Sequence, residues 1–458
     1  MKYSEFIDRK AITAIDAGID DDVWLPDGMF GFQADCVKWA LRRGRAALFL
    51  DTGMGKTITQ LSWANAVADH TGRPVIILAP LCVAQQTERE GERFGIECQY
   101  MREHPADHHK IIITNYEMAK NFDFSEFSGV VMDESSILKG MTGKYRQYLT
   151  EICADVPYRL SCTATPSPND FMELGTQSEW LGVMSQVEML AMFFIHDGSD
   201  TSKWRLKGHG KAKFWEWLAT WSIVIRKPSD LGYSNDGYDL PPVQYHQYTI
   251  ETEPENGLFV DVAQGLQDRN KARKESLDER VQKAAEIVNA IDEPVIVWCN
   301  MNEESEKLED KILCSVQVTG SMKPELKEER LMGFIDGDIK KLVTKPSIAG
   351  FGLNMQNCRH VVFVGLSDSW EKYYQAIRRC WRFGQEKVVH VHVIAADTEG
   401  GVVANIKRKE LQHQEMSKQM VDRMSKITMS QIKKATIEKT EYTPKVTMKI
   451  PHFLRISA

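Results

Sequence analysis

Ala46-Ala47-Leu48-Phe49-Leu50-Asp51-Thr52-Gly53-Met54-Gly55-Lys56-Thr57 decides how the rest of this chain is read. Five apolar residues predict a short buried strand, and the glycine-rich turn after them ends in Gly55-Lys56-Thr57 and opens a helix. Such a turn is a phosphate cradle. Its glycines let backbone N–H groups approach a pyrophosphate, and the helix N-terminus adds the positive end of its dipole. Thr52, Gly53, Met54 and Gly55 line the cradle, Lys56 is placed to reach the β- and γ-phosphates, and the Thr57 hydroxyl to sit on magnesium. A tight turn with an incidental lysine is the bland alternative, and the strand and helix character of both flanks argues against it. The general pattern has a glycine where this chain has Leu50.

At 458 residues the chain predicts two or three domains. Its 43% hydrophobic and 26% charged residues are those of an ordinary globular protein, with enough apolar material for full cores. No apolar run reaches the length of a membrane span. The start, MKYSEFIDRKAITAID, lacks the basic lead and apolar block of a secretion signal, so a cytoplasmic location is expected. Nine cysteines without a Cys-x-x-Cys pair argue against zinc and for a reducing compartment. His104, His108 and His109 sit beside Pro105 in a polar turn and read as a solvated loop. The net charge of −7 does not advertise a nucleic-acid binder, but its distribution is uneven. Residues 401–458 hold 12 Lys+Arg against 5 Asp+Glu, or +7, which leaves −14 on residues 1–400. That tail is either an electrostatic footprint or the solvated face of a terminal helix.

Past an irregular or helical lead-in (1–28), Ala34 to Arg43 has helical periodicity. Apolar runs at Val75-Leu78, Ile111-Ile113, Val130-Met132 and Arg159-Cys162 alternate with helical segments, which predicts buried parallel strands. The alternation stops between Asp170 and Pro228. That stretch reads as a helical insertion carrying Trp204, Trp215, Trp217 and Trp221 among basic residues. Base stacking is one use for such aromatics; the helical spacing of Phe214, Leu218, Trp221 and Ile225 favours core packing. Asp239-Leu240-Pro241-Pro242 marks a linker. A second α/β pattern follows, with runs at Val295-Trp298, Val316-Thr319, Leu342-Thr344, Val361-Val364 and Val388-Ile394, then a charged helical tail and a short segment after Pro444.

Asp133-Glu134 follows the run Val130-Met132, at the carboxyl end of a strand where α/β sheets place ligands. Asp133 suits magnesium held through water, and Glu134 is placed to polarise an attacking water. Further segments add to the cradle: Gln33, Ala79-Pro80-Leu81, Thr114-Asn115-Tyr116, Asp133 to Ser136, Thr163-Ala164-Thr165-Pro166, Lys345 to Met355, and Gln375-Ala376-Ile377-Arg378-Arg379-Cys380-Trp381-Arg382-Phe383-Gly384-Gln385. In this order and spacing, from Phe30 to Ile394, they resemble the superfamily-two helicases and translocases, in the Swi/Snf-like branch found in phage and prophage genomes. Leu50 fits that resemblance, since motor families relax the position. Ser136 stands where relatives have His, and Phe30-Gly31 where they have Arg-Pro.

The resemblance implies an α/β fold of two tandem RecA-like domains, with a helical insertion in or after the first and a helical C-terminal tail. The expected boundaries are lobe one at 29–240, including the insertion at about 171–228, lobe two at 241–400, and the tail at 401–458. It implies that Gln33 reads adenine, that Gln375 joins the nucleotide site, and that Pro80, Thr114, Asn115, Thr319, Lys345 and Gly350 touch a nucleic-acid backbone. Arg379 and Arg382, three apart and so on one face of a helix, would complete the site from lobe two, where arginine stabilises charge on a transferred phosphoryl group. The expected cofactors are ATP and magnesium, and the expected partner is double-stranded DNA bound without sequence preference. The leading expectation is a DNA-dependent ATPase that translocates on duplex. A strand-separating helicase on branched DNA or RNA, and a non-catalytic ATP-gated clamp, stay open.

Overall fold

The structure is a computed structural model describing residues 18–433 apart from 105–108, 140–142, 168–169, 198–199, 252–274, 351–352, 368 and 398–399. The lead-in before residue 18, Pro105, His108, Phe351-Gly352 and the segment containing Pro444 lie outside the described residues.

Two parallel sheets follow each other along the chain. The first region contains β1 (Arg45–Leu50), β2 (Val75–Ala79), β3 (Gln99–Tyr100), β4 (Ile111–Asn115), β5 (Gly129–Asp133), β6 (Tyr158–Cys162), β7 (Phe194–Asp197), β8 (Asp200–Leu206) and β9 (Ser222–Ile225). Its helices are α1 (Gly31–Arg43), α2 (Lys56–Thr71), α3 (Leu81–Arg93), α4 (Lys144–Ile152), α5 (Leu174–Leu181), α6 (Gln186–Phe193) and α7 (Lys211–Trp221). Seven strands pair in the order β3-β4-β2-β5-β6-β1-β9, all parallel. β1, β2, β4 and β5 are apolar along almost their whole length because helices cover both faces of the sheet.

The stretch from Asp170 to Pro228 is helical over α5, α6 and α7, with two additions: β7 and β8 form an antiparallel hairpin, and β9 returns to extend the sheet beside β1. Phe214, Trp215, Trp217, Leu218 and Trp221 are buried in one core, so these aromatics pack. Trp204, partly buried, packs against the same core and lies against His196 in the hairpin.

The second sheet holds β10 (Val243–Ile250), β11 (Val295–Trp298), β12 (Ser315–Val318), β13 (Lys341–Thr344), β14 (His360–Val364) and β15 (Val389–Ala396), in the order β10-β15-β14-β11-β13-β12, again all parallel. Between them run α8 (Leu277–Asn289), α9 (Asn302–Lys311), α10 (Pro324–Asp336), α11 (Pro346–Ala349) and α12 (Trp370–Ile377). The fold is therefore two tandem α/β lobes of the RecA-like kind with a helical tail. That tail is α13 (Gly400–Ile432), whose apolar stripe is shared out: Val402 and Ile406 enter the core of lobe two, while Met420, Val421 and Met424 enter that of lobe one. No described helix is long and apolar enough to cross a membrane.

Candidate nucleotide site between the lobes

The cradle leaves β1 and turns into α2 through two left-handed glycines, Gly53 at φ 86° and Gly55 at φ 80°. Both are sterically required. A Cβ on Gly55 would stand 2.1 Å from Gln33 Nε2, and one on Gly53 3.0 Å from the backbone nitrogen of Phe383 in lobe two. Gln33 is buried on α1. It donates through Nε2 to Met54 O (3.0 Å) and accepts from the Phe30 N–H (3.0 Å), so it ties the helix to the cradle. Phe30 joins Tyr238 from the linker region and Phe383 from lobe two in an aromatic cluster with ring centroids 4.6–5.8 Å apart.

Lys56 donates to Leu50 O at 3.1 Å. Burial pulls its ammonium below the usual range, Arg379 acts in the same direction, and Glu134 and Asp133 oppose both. Asp133 ends β5, where Gln60 on α2 donates to its Oδ1 at 2.7 Å and Tyr116 donates to its backbone carbonyl. Glu134 follows at φ 50°, a conformation that costs a non-glycine residue about 1–3 kcal/mol and is concentrated at functional positions. Burial raises both carboxyls, and Lys56 and Arg379 act against that rise. Four groups from three loops thus share one field: Lys56, Asp133 and Glu134 from lobe one, and Arg379 from lobe two.

The helical placement of Arg379 and Arg382 needs correction. α12 ends at Ile377, and the chain continues through successive turns, with Cys380 N and Trp381 N both donating to Ile377 O. The two arginines still converge, because each donates an Nη1 to Leu353 O at 3.4 Å, while Arg379 Nε also caps Gln375 O at 3.0 Å. Burial brings the Arg382 guanidinium down to about 10. Gln375 is buried with neither end of its amide hydrogen-bonded.

Three further residues belong to this site. Arg378 donates through Nη2 to Thr52 O at 2.8 Å and pairs with Asp51. Tyr374 donates to Asp51 Oδ1 at 2.8 Å. Glu90 on α3 accepts from Gln86 at 3.2 Å and lies in the field of Arg382 beside Thr57. Arg378 could have been found from its place in the arginine run. Glu90 had no sequence signal, since a carboxylate on an amphipathic helix reads as solvated.

The nucleic-acid candidates separate. Pro80 caps α3 and lines a cleft of about 350 Å³ between the lobes with Leu81, Arg89, Glu328, Ser347 and Leu353. Thr114 and Asn115 are buried, and Asn115 caps the next turn by accepting from Met118 N at 3.1 Å. Thr319 follows β12 with its hydroxyl 3.3 Å from Ser321 Oγ. Lys345 donates to Asn302 Oδ1 at 2.6 Å, and Gly350 N closes α11 on Pro346 O at 3.0 Å. A larger cavity of about 840 Å³ adjoins the cradle, with Asp51, Tyr238, Arg378 and His413 in its wall. It falls in the size range of small-molecule sites.

Part of lobe two matches a known family. Residues 279–384 match the family model described as the helicase conserved C-terminal domain. The chain is 21% identical over 408 residues to the "Uncharacterized ATP-dependent helicase YqhH" of Bacillus subtilis (strain 168), a match covering 77% of this chain and 72% of that protein. A solved chain described as the Sulfolobus solfataricus SWI2/SNF2 ATPase core in complex with dsDNA aligns with a TM-score of 0.42 at 16% identity, over 91% of this chain and 99% of that one. Residues 279–384 of the second lobe are thus similar to helicase C-terminal domains, and about three quarters of the chain to a protein described as an ATP-dependent helicase.

Proposed function

We propose that the protein is a nucleic-acid-dependent ATPase of the Swi/Snf-like branch, in which hydrolysis between the lobes drives translocation on double-stranded DNA. The observation that carries this reading is the split site: Lys56, Asp133 and Glu134 on lobe one share a field with Arg379 of lobe two. The residues fit ATP and magnesium. Gly53 and Gly55 keep the turn in a shape that a Cβ would break by meeting Phe383 and Gln33, and Thr57 and Asp133 offer hard oxygen donors. Among the described residues no group of three or more His, Cys, Asp or Glu could hold a metal. Magnesium that keeps its waters and shares phosphate oxygens suits such a site, and it would neutralise charge on the transferred phosphoryl group.

In this reading Lys56 and the cradle N–H groups orient the phosphates, Glu134 accepts a proton from the attacking water, and Arg379 and Arg382 offset developing negative charge. Gln33 and Gln375 complete the nucleotide contacts. Because the groups are divided between the lobes, the site is complete only with the cleft closed, so turnover is coupled to lobe motion. Pro80 lines the cleft between the lobes; with Thr114, Asn115, Thr319, Lys345 and Gly350 it would contact a phosphate backbone, and binding through phosphates is sequence-independent and salt-sensitive. We place the lobe boundaries at 29–240 and 241–400. The phage or prophage affinity rests on the sequence resemblance alone.

The similarity to a protein called an ATP-dependent helicase favours strand separation as a second reading. One experiment decides between them. ATP turnover is measured with duplex DNA, single-stranded DNA and RNA, followed by displacement of the third strand from a triplex and by unwinding of a forked duplex. Duplex-stimulated turnover with triplex displacement and no unwinding supports translocation. Turnover indifferent to every nucleic acid removes the motor reading.

A further inference from the structure

Behind Glu134 runs a chain of hydrogen bonds that ends in the other lobe. Thr163 Oγ1 donates to Glu134 Oε2 at 3.3 Å. That same Oγ1 accepts from the Thr165 N–H at 3.1 Å, and Thr165 Oγ1 donates to Glu371 Oε1 at 3.1 Å. Thr163 and Thr165 are fully buried and Glu371 is 7% exposed, so water does not compete for these bonds. Glu371 sits in the first turn of α12, where the helix dipole favours a carboxylate, and Ser369 caps that turn. The same short helix carries Tyr374 and leads to Arg378, both of which hold Asp51 of the cradle.

We infer that Glu371 is a positioning residue through which lobe two sets the orientation of Glu134. The inference rests on the proposed ATPase reading and names how that site is regulated. A threonine hydroxyl has one proton. With the Thr165 N–H donated into its oxygen, the Thr163 hydroxyl must point its own proton elsewhere, and Glu134 is what it meets. Glu371 anchors the side chain of Thr165, the residue whose N–H supports the Thr163 hydroxyl. Glu134 occupies a left-handed backbone conformation that its own residue type disfavours, so its orientation depends on such outside support. When the lobes part, Glu371 withdraws with α12 and the relay loses its anchor. Hydrolysis is thereby confined to the closed state.

The test compares Thr165→Val and Glu371→Ala, which break the anchor, with Thr165→Ser and Glu371→Gln, which keep a donor and an acceptor. The first two are expected to lower kcat for ATP about tenfold while KM for ATP stays within about twofold, measured well below the Tm of each variant, a loss in transition-state positioning rather than in folded protein. The conservative pair is expected to recover most of kcat. The double variant Thr165→Val/Glu371→Ala should lose no more than either single change, since the two act as one unit. Full kcat in both disruptive variants, additive losses, or a loss that tracks Tm overturns the relay. An inactive wild type overturns the ATPase reading itself, and that outcome is distinct from an active wild type with indifferent variants.

Discussion

Arg378 of lobe two pairs with Asp51 of the cradle, its Nη2 standing 3.3 Å from Oδ2. The same guanidinium donates to Thr52 O, and Tyr374 donates to the other carboxylate oxygen. Burial works to raise the Asp51 carboxyl, yet Arg378, the Thr52 N–H and Tyr374 together hold it below the usual range. Both partners of this pair are largely shielded from water, so the charges depend on each other.

Removing one partner should therefore cost more than removing a surface pair. Arg378→Ala is expected to destabilise by about 3–5 kcal/mol, because it leaves Asp51 buried and uncompensated. Asp51→Asn combined with Arg378→Met should recover much of that loss in chemical denaturation. ATP turnover should stay low in both, because only the Tyr374 hydroxyl then ties lobe two to the cradle at this point.

Lys56→Ala, Glu134→Gln and Arg382→Ala should each reduce ATP turnover at least about a hundredfold, as loss of charge stabilisation at phosphoryl transfer does. Far-UV circular dichroism and melting should stay near wild type for Glu134→Gln, which keeps the shape of the side chain. A variant with wild-type turnover removes its residue from the mechanism.

Four imidazoles share one face of the second sheet: His246 on β10, His390 and His392 on β15, and His360 on β14. His246 Nε2 lies 3.2 Å from His390 Nδ1, and the His246 and His392 rings stack at 4.7 Å. Glu293 and Arg359 flank His360, and Lys283 of α8 lies over the Tyr248 ring beside His392. Burial first, then the neighbouring charges, lowers His360 and His390 and takes His392 down to about 4. The folded protein therefore binds fewer protons than the unfolded chain between the ordinary histidine value and about 4, and stability falls as pH falls through that window. His392 contributes at most about 3 kcal/mol of this, less whatever solvent screening removes. The Tm should drop between roughly pH 6.5 and 4, and His392→Gln should flatten the drop. An unchanged slope in that variant assigns the acid sensitivity elsewhere.

α13 separates the two readings of the basic tail by position. Met424→Ala should cost about 2–5 kcal/mol, as emptying a core site does, because Met424 is fully buried in lobe one. Lys418, Arg423 and Lys426 are exposed on the same helix. Replacing all three by Glu should leave the Tm nearly unchanged. If they bind DNA, the slope of log affinity against log salt should shrink by about 0.9 for each phosphate no longer neutralised. An unchanged slope makes that face merely solvated.

Much of the fold is readable because it is written locally. The runs at Leu48, Ile76, Ile112 and Val130 are strands because each is apolar on both faces, and the cradle is a cradle because Gly53 and Gly55 alone tolerate its turns. β9 is not readable in this way: Ser222 to Ile225 follows α7 directly and has no periodicity of its own, and only its pairing with β1 makes it part of the sheet. The hairpin of β7 and β8 is hidden for a similar reason, as its residues alternate among aromatics that also read as helical.

The sequence by itself determined the two α/β lobes and the residue types at the cradle, since each depends on neighbours within a few positions. Tertiary structure alone decided which groups meet. Asp51 and Arg378, Thr165 and Glu371, and the four histidines are far apart along the chain and carry no mutual signal in it. They meet because two separately folded surfaces close on each other, or because strands distant in sequence pair side by side. Burial there turns ordinary polar side chains into strongly coupled ones.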